Sequence, residues 1–330
     1  MNAARALLPE HTDPEHATMD HHTIPHDLLA ELRVLHRERP DALGADLPEH
    51  GLTQLTGGRN NRVYRWSSPR GPVCLKLYRT DKRDRARCEW TALRHLADHG
   101  VTVACTALWH DPHPELPAVG LRLVPGRPIT ALDTPHAALQ AMVTALGQIR
   151  QVPLGPFASL GRLDSASDFI RRITTTWPEQ LHEYPDEPLS RDMSRMIARW
   201  HDRGDATVLA EPAPRVLSHG DGNLDNWHWH DFISTIYALD WEFAGHSDAA
   251  YDAAELIEHP SARAVEDDLW LALLPELGVD DGQARRRFAA ARRTAALRWL
   301  AVRWKRRDTN VSAFEQQLHR TRSLIAGDHE

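Results

Sequence analysis

Apolar positions change their period twice along this chain. Leu28, Leu29, Leu32 and Leu35 recur at the spacing of one helix face, and from Leu52 the period drops to two. The runs LTQLTGG, RVYRWSS and PVCLKLY then read as strands. GGRNN joins the first two, and its Gly57, Gly58, Asn60 and Asn61 suit either a plain hairpin turn or a glycine loop closing over phosphates. In PVCLKLY, Val73, Leu75 and Leu77 alternate with Cys74, Lys76 and Tyr78, so Lys76 points away from the aliphatic face. A helix is expected over 81–99 with Ala86, Trp90, Leu93 and Leu96 or Ala97 as its stripe, and Glu89 falls on that stripe. A carboxylate facing a core needs a cation, and Lys76 is the obvious partner. ACTALWH and AVGLRLV complete the sheet.

Pro125 and Gly126 break the β pattern, and beyond them the 3.6 period returns. LDTPHAALQAMVTALGQIR opens a helical region, followed by helices expected over 165–177, 188–203, 249–259, 262–277, 281–307 and 311–325. Only LSHGDGNLDNWHWHDFISTIYALDW interrupts, placing short polar residues on either side of an aromatic and aliphatic run. The fold class that follows is α+β and bilobal. After a disordered tail over 1–25 comes a small N-terminal lobe over 26–124, with a five-stranded antiparallel sheet and one helix, then a larger, mainly helical C-terminal lobe over 125–330.

Composition narrows the class. A chain of 330 residues, 42% hydrophobic, can bury two cores, and a net charge of −7 excludes the global basic excess of a general nucleic-acid binder. Cys74, Cys88 and Cys105 form no C-x-x-C pair, so neither a disulfide framework nor a zinc ribbon is indicated, and a reducing cytoplasm is the expected setting. No apolar run approaches the roughly 18 residues of a membrane span, and the N-terminus lacks the apolar stretch of a signal peptide. His11, His16, His21, His22 and His26 have spacings that suit no tetrahedral metal site, so a ligand-free tail is expected.

RVLSHGDGNLDN reads as a strand entering a polar loop, and TIYALDWEFAG as a second strand ending in an acid at a turn. Trp227, Trp229, Ile236 and Leu239 can anchor the hairpin while its ends offer Asp221, Asn226 and Asp240 to one cleft. Phosphoryl transfer needs such a set: a carboxylate to orient the acceptor and oxygen ligands for magnesium, rigidly held. His219 could instead join His228 and His230 as a metal site, although bracing the polar loop suits it better.

These motifs resemble the aminoglycoside phosphotransferase and choline kinase family, relatives of the protein kinases. HGDGNLDN matches the family's H-G-D-x-x-x-x-N loop, LDWEFAG its D-x-E turn, and SDAAYDAAEL the segment that follows. The likeness runs in order from Leu52 to Leu256 and takes in Gly57, Gly58, Lys76, Glu89 and the LRLVPGRPI hinge. It implies a protein-kinase-like fold and a small-molecule kinase that moves the γ-phosphoryl of ATP or GTP to a hydroxyl of an antibiotic, amino alcohol or sugar-like metabolite. It further implies Asp221 as catalytic base or acceptor-orienter, Asn226 and Asp240 as Mg2+ ligands, Gly57, Gly58 and Lys76 at the nucleotide phosphates with Glu89 holding Lys76, and purine contacts from the Arg122 and Val124 backbone. Asp225 is a candidate substrate contact or, as suits it better, an exposed turn residue, and Glu242 is a candidate substrate contact. GGRNN departs from the fuller G-x-G-x-x-G of protein kinases, DWE replaces D-F-G and no A-P-E segment follows, so a protein substrate is not expected.

The acceptor is less legible. Asp248, Asp252, Glu255 and Glu258 make an acidic helix face that either attracts a cationic amine or is merely solvated. Most cations of 281–307 are expected to face water, with Phe288, Ala295, Trp299 and Val302 on the packed side; if some line the cleft, an anionic or sugar-like acceptor fits better. Trp299 and Trp304 are expected in the core. Neither a nucleic-acid nor a membrane partner is expected, and the chain would act as a monomer or homodimer. The alternative is a silent nucleotide-binding pseudokinase, against which stands the intact set Lys76, Glu89, Asp221, Asn226 and Asp240.

Overall fold

The computed structural model describes residues 23–55 and 61–327, so Gly57, Gly58 and nearly all of the expected tail lie outside the described residues. The alternating runs form one antiparallel sheet of β1 (Leu52–Gln54), β2 (Arg62–Ser68), β3 (Gly71–Leu77), β4 (Ala107–Asp111) and β5 (Ala118–Arg122), in the order β1-β2-β3-β5-β4. Both faces are covered. The helix α1 (His26–Glu38) brings Leu29, Leu32 and Leu35 against Leu75, Leu77 and Trp109, adding a second helix to this lobe. On the other face α2 (Arg85–Asp98) packs Ala86, Leu93 and Leu96 with Tyr78, Val119 and Leu121. β5, between β3 and β4, carries a glycine because the Trp109 indole lies across it: a Cβ on Gly120 would sit 2.2 Å from that ring.

The remainder is mainly helical: α3 (His136–Gln151), α4 (Ala166–Arg171), α5 (Trp177–His182), α6 (Pro188–Asp202), α7 (Asp205–Ala210), α8 (Ala249–Glu258), α9 (Asp267–Ala272), α10 (Gly282–Trp304) and α11 (Val311–Ala326). Two expected helices come out broken. Over 165–177 a π-helical turn at Arg172–Thr176 separates α4 from α5, where the Thr174 and Thr175 hydroxyls bond back to the carbonyls of Ile170 and Arg171. Over 262–277 only α9 is α-helical, because Val265 is extended, Pro275 cannot donate, and Gly278 takes a left-handed turn at φ +75°.

Between α7 and α8 lie β7 (Val216–Ser218), β8 (Trp227–His230), β9 (Thr235–Ala238) and β10 (Gly245–Ser247), with β6 (Arg127–Pro128) lying alongside β8. Trp227, Trp229 and Ile236 anchor the β8–β9 hairpin in the same cluster as Met142, Val143 and Leu217. The anchor is confined to one face and does not reach the tip, where Phe232 is 92% exposed.

The charged surfaces differ most from expectation. The acids before and within α8 are neither solvated nor open: Asp248 meets Arg287 at 2.9 Å, Asp252 meets Arg162 at 2.7 Å, Glu255 pairs with Arg162, and fully buried Glu258 meets Arg292 at 2.8 Å and Arg320 at 2.7 Å. The arginines of α10 turn inward correspondingly, Arg293 to Asp205 at 2.6 Å and Arg298 to Asp164 at 3.0 Å, because α10 is packed against α8, α7 and α11. Arg285, Arg286, Lys305 and Arg306 remain exposed. Trp304 is buried as expected, while Trp299 is only partly covered. Among the described residues no helix is long and apolar enough to cross a membrane.

Candidate active site

Lys76 projects from β3 toward α2, where two periodicities meet: every second residue of the strand and the stripe of the helix. Its Nζ lies 2.6 Å from Glu89 Oε2, contacts Asp240 Oδ1 and is 3.8 Å from Glu242 Oε2. The Tyr78 hydroxyl donates to the same Glu89 oxygen. Lys76 is 4% exposed and Glu89 0%. Burial, the largest single influence, favours the neutral amine, yet the carboxylates of Asp240, Glu89 and Glu242 together outweigh it and raise the Lys76 pKa above its ordinary value. The ammonium therefore stays charged inside the cleft.

Asp221 stands on the loop leaving β7, and glycines let the backbone take that path. Gly220 adopts φ +82°, and a Cβ there would sit 2.0 Å from the Phe243 carbonyl oxygen; one on Gly222 would meet the Glu255 carbonyl at 2.9 Å. His219 faces two carbonyls, Leu239 O at 2.7 Å from Nε2 and Asp221 O at 3.2 Å from Nδ1. The shorter contact ties the loop to the end of β9. The Asp221 carboxylate accepts from the Asn223 N–H at 3.0 Å and from Asn226 Nδ2 at 3.1 Å. Burial raises its pKa, the nearby charge of Asp240 adds to this, and His219 and the two hydrogen bonds oppose it.

The hairpin brings the third group home. The Leu239 N–H donates to the Asn226 carbonyl at 2.8 Å, so Asp240, the next residue, is delivered beside Asn226. Asp240 takes φ +64°, a left-handed turn that aspartate tolerates. Arg83 pins the turn beyond it, donating from Nη2 to Phe243 O at 3.0 Å and Ala244 O at 2.8 Å. Asp221, Asn226, Asp240, Lys76 and Glu89 thus surround one cleft.

Other expected contacts fall differently. Glu242 is enclosed at 1% exposure, one oxygen on Arg85 Nη1 at 2.8 Å and the other accepting from Asn61 Nδ2, so it ties the sheet to the turn and does not face an acceptor. Asp225 is exposed and accepts the Thr130 hydroxyl. The Arg122 N–H already donates to Thr106 O at 2.8 Å, leaving its carbonyl as the group a purine could use, and partly buried Val124 follows at the hinge. The three-histidine metal reading fails: His219 is turned to backbone carbonyls, and among the described residues no group of three or more His, Cys, Asp or Glu is placed to hold a metal. Asn226 and Asp240 do fit Mg2+ in kind, as hard oxygen donors. One carboxylate and one amide leave most of an octahedral shell to phosphates and water, the pattern Mg2+ shows at nucleotide sites.

One supporting residue escaped the sequence reading. Arg162, nearly buried, donates from Nη2 to the Gly220 carbonyl at 2.9 Å and from Nη1 to Asp252 at 2.7 Å, and also pairs with Glu255. It sits in an irregular loop with no period, and the only hint of it was an excess of acid on a helix that had to be covered. Behind the loop, Arg150, Arg162, Ser218, Asp221 and Asp252 help line a cavity of about 30 Å³, the size of one water.

Residues 51–291 match the model of the Phosphotransferase enzyme family. A search of curated protein sequences finds no match. Among solved structures, a thermostable mutant of aminoglycoside phosphotransferase APH(4)-Ia in ternary complex with AMP-PNP and hygromycin B superposes with a TM-score of 0.61 at 18% identity, covering 83% of this chain and 93% of that one. Spectinomycin phosphotransferase APH(9)-Ia in complex with ADP and spectinomycin gives 0.59 at 12% identity, covering 90% and 96%. An aminoglycoside phosphotransferase from Alicyclobacillus acidocaldarius gives 0.59 at 14%, covering 84% and 91%. At such identities the likeness establishes the fold.

Proposed function

This chain belongs to the phosphotransferase enzyme family, and from that premise we propose that it transfers the γ-phosphoryl of ATP or GTP to a hydroxyl of a small molecule. The observation that carries the reading is the convergence of Lys76, Glu89, Asp221, Asn226 and Asp240 on one cleft. A silent nucleotide-binding relative would have no need to keep all five. The lobes divide at 124–125, and the nucleotide lies between them with its phosphates toward Lys76 and its purine toward the Arg122 carbonyl and Val124. Asn226 and Asp240 would hold Mg2+, which when bound would supply charge neutralisation at the phosphates.

The chain's own residues do the rest. Lys76 is kept charged and aimed by Glu89. Asp221 aligns the acceptor hydroxyl and accepts its proton. Asp225, exposed on the same loop, can accept a hydrogen bond from another acceptor hydroxyl. Three free cysteines and a need for ATP suit the cytoplasm.

The test is Mg2+-dependent ADP or GDP release across a panel of hydroxyl acceptors, with Asp221→Asn as control. Removing a positioned general base lowers turnover by about 10²–10⁴-fold, with nucleotide affinity nearly unchanged. Full turnover in that variant would remove Asp221 from the chemistry.

A further inference from the structure

Resting on the kinase reading above, we infer that Glu242 is a positioning residue: it latches the turn that carries Asp240 to the N-terminal lobe, setting Asp240 beside Asn226 for the metal-bound nucleotide without being a metal ligand itself. By sequence the turn at 240–244 belongs to the C-terminal lobe, and two bonds keep its near end there. The Leu239 N–H donates to the Asn226 carbonyl at 2.8 Å, and His219 Nε2 meets the Leu239 carbonyl at 2.7 Å. Both bonds stop at residue 239. Asp240 itself takes φ +64°, a backbone state that persists only where the surroundings enforce it.

Those surroundings come from the other lobe. Glu242 is enclosed with both oxygens engaged, Oε1 by Arg85 Nη1 at 2.8 Å and Oε2 by Asn61 Nδ2. Buried Asn61 is held in turn by the Arg79 N–H, which donates to its Oδ1 at 3.4 Å. Arg85 is fixed by Asp81 and lies 4.8 Å from the centre of the Phe243 ring. Arg83 donates to three successive carbonyls, to Glu242 at 3.3 Å, Phe243 at 3.0 Å and Ala244 at 2.8 Å. Just before the turn, the Ala238 N–H donates to the Val103 carbonyl at 2.8 Å. Residues of the N-terminal lobe thus close around a turn of the other lobe, and Glu242 is the one side chain of that turn on which two of them converge through its carboxylate.

Two acids two residues apart therefore have separate tasks. The Asp240 side chain keeps 34% of its surface open to the cleft, whereas that of Glu242 keeps 1% and faces a guanidinium and an amide. Both flank the same ammonium, since Lys76 Nζ contacts Asp240 and lies 3.8 Å from Glu242 Oε2. A carboxylate that ligates a metal depends on the groups that orient it, and changing such a group typically costs about 10–100-fold in metal affinity or activity. Glu242 acts at that remove: it fixes the backbone on which Asp240 stands.

The experiment titrates the full chain with ADP by calorimetry, once with saturating Mg2+ and once with EDTA, and counts the Mn2+ bound alongside ADP by electron paramagnetic resonance. Wild type, Glu242→Gln and Arg83→Met are compared. Arg83→Met removes bonds to the same turn and spares the Glu242 carboxylate, so it carries the test should Glu242→Gln fail to fold. The expected result is a ratio of Mg2+ to EDTA affinity that falls about 10-fold or more in each variant, with the affinity in EDTA little changed and the Mn2+ count at saturation that of wild type. An unchanged ratio, whether both affinities hold or both fall together, would reduce Glu242 to a structural part. One Mn2+ fewer in Glu242→Gln alone would make it a ligand, and a wild-type ADP affinity indifferent to Mg2+ would leave Asp240 nothing to be positioned for. Each of these would overturn the inference while nucleotide binding stands. Wild-type protein that binds no ADP under either condition would take down the kinase reading, and this inference with it.

Discussion

Replacing Glu89 by glutamine keeps the side chain's volume and removes the charge that opposes Lys76. Both partners are enclosed, at 5% and 0% side-chain exposure, and their contact is 2.6 Å. Breaking a buried pair from one side costs about 3–5 kcal/mol. Lys76 retains its contact with Asp240, and Glu242 at 3.8 Å, so the lower end applies here. A loss of ~3 kcal/mol, at roughly 2–4 °C per kcal/mol, lowers Tm by about 6–12 °C. The functional effect is sharper, because an ammonium left to Asp240 leans toward the acid proposed for Mg2+ and away from the phosphates. Nucleotide affinity should fall by about 10-fold or more with the loss of a charge-assisted contact. Calorimetric titration with Mg·ADP and thermal unfolding read the two effects separately. The double variant Lys76→Met, Glu89→Leu separates them further. Apolar replacement of both partners is often neutral or better for stability, but the buried Tyr78 hydroxyl loses its acceptor, so Tm should recover only in part while nucleotide binding does not. An unchanged Tm and an unchanged ADP affinity in Glu89→Gln would refute the idea that this carboxylate anchors the lysine.

Other perturbations probe the loop and its supports. Gly220→Ala places a methyl 2.0 Å from the Phe243 oxygen at a left-handed φ, which should cost roughly 2 kcal/mol or more and abolish turnover; a fully active, equally stable variant would show that the turn has room. Arg162→Met removes the donor to Gly220 O and strands Asp252 and Glu255, so kcat should fall about 10-fold or more with KM less affected, and equal loss in both would assign Arg162 to binding instead. His259 is held near pKa 3 by burial and neighbouring arginines. Its unfolded value is higher, so the unfolded chain takes up the proton first, and His259's contribution is complete above about pH 6.5 and declines as pH falls toward 3. At pH 5 the loss is about 2 kcal/mol. Urea unfolding of His259→Gln should show a shallower acid slope than wild type between pH 6.5 and 5, and parallel slopes would contradict the assignment.

Legibility in the sequence followed from how local each signal is. Alternation in PVCLKLY and the stripe of α2 are both short-range, and their intersection put Lys76 opposite Glu89 correctly. HGDGNLDN and LDWEFAG sit at the two ends of one hairpin, so its pairing alone brings Asn226 next to Asp240. Breaks in the helices at Arg172–Thr176 and Val265 were hidden because an apolar period continues through residues whose hydroxyls or dihedrals end the helix. Glu242 was misplaced for a different reason: its neighbours Asn61 and Arg85 come from β2's edge and α2, far away in sequence. The arginine–carboxylate lattice was illegible on the same ground, since Arg162 reaches Asp252, Arg292 reaches Glu258 and Arg293 reaches Asp205 with no recurring spacing.

That lattice bears on why the site works. Apolar packing is strong but non-directional, and it can hold the β8–β9 hairpin without fixing the loop that carries Asp221 to the tolerance that phosphoryl transfer requires. The loop instead hangs on directional bonds: Arg162 to the Gly220 carbonyl, His219 to the Leu239 carbonyl, Ser261 to the Leu224 N–H. Arg162 can serve because Asp252 and Glu255 fix its guanidinium, and those acids stand on α8, itself bound to α10 through Glu258 and Arg292. The carboxylates that looked like bait for a cationic substrate are the fixed end of the loop that carries Asp221.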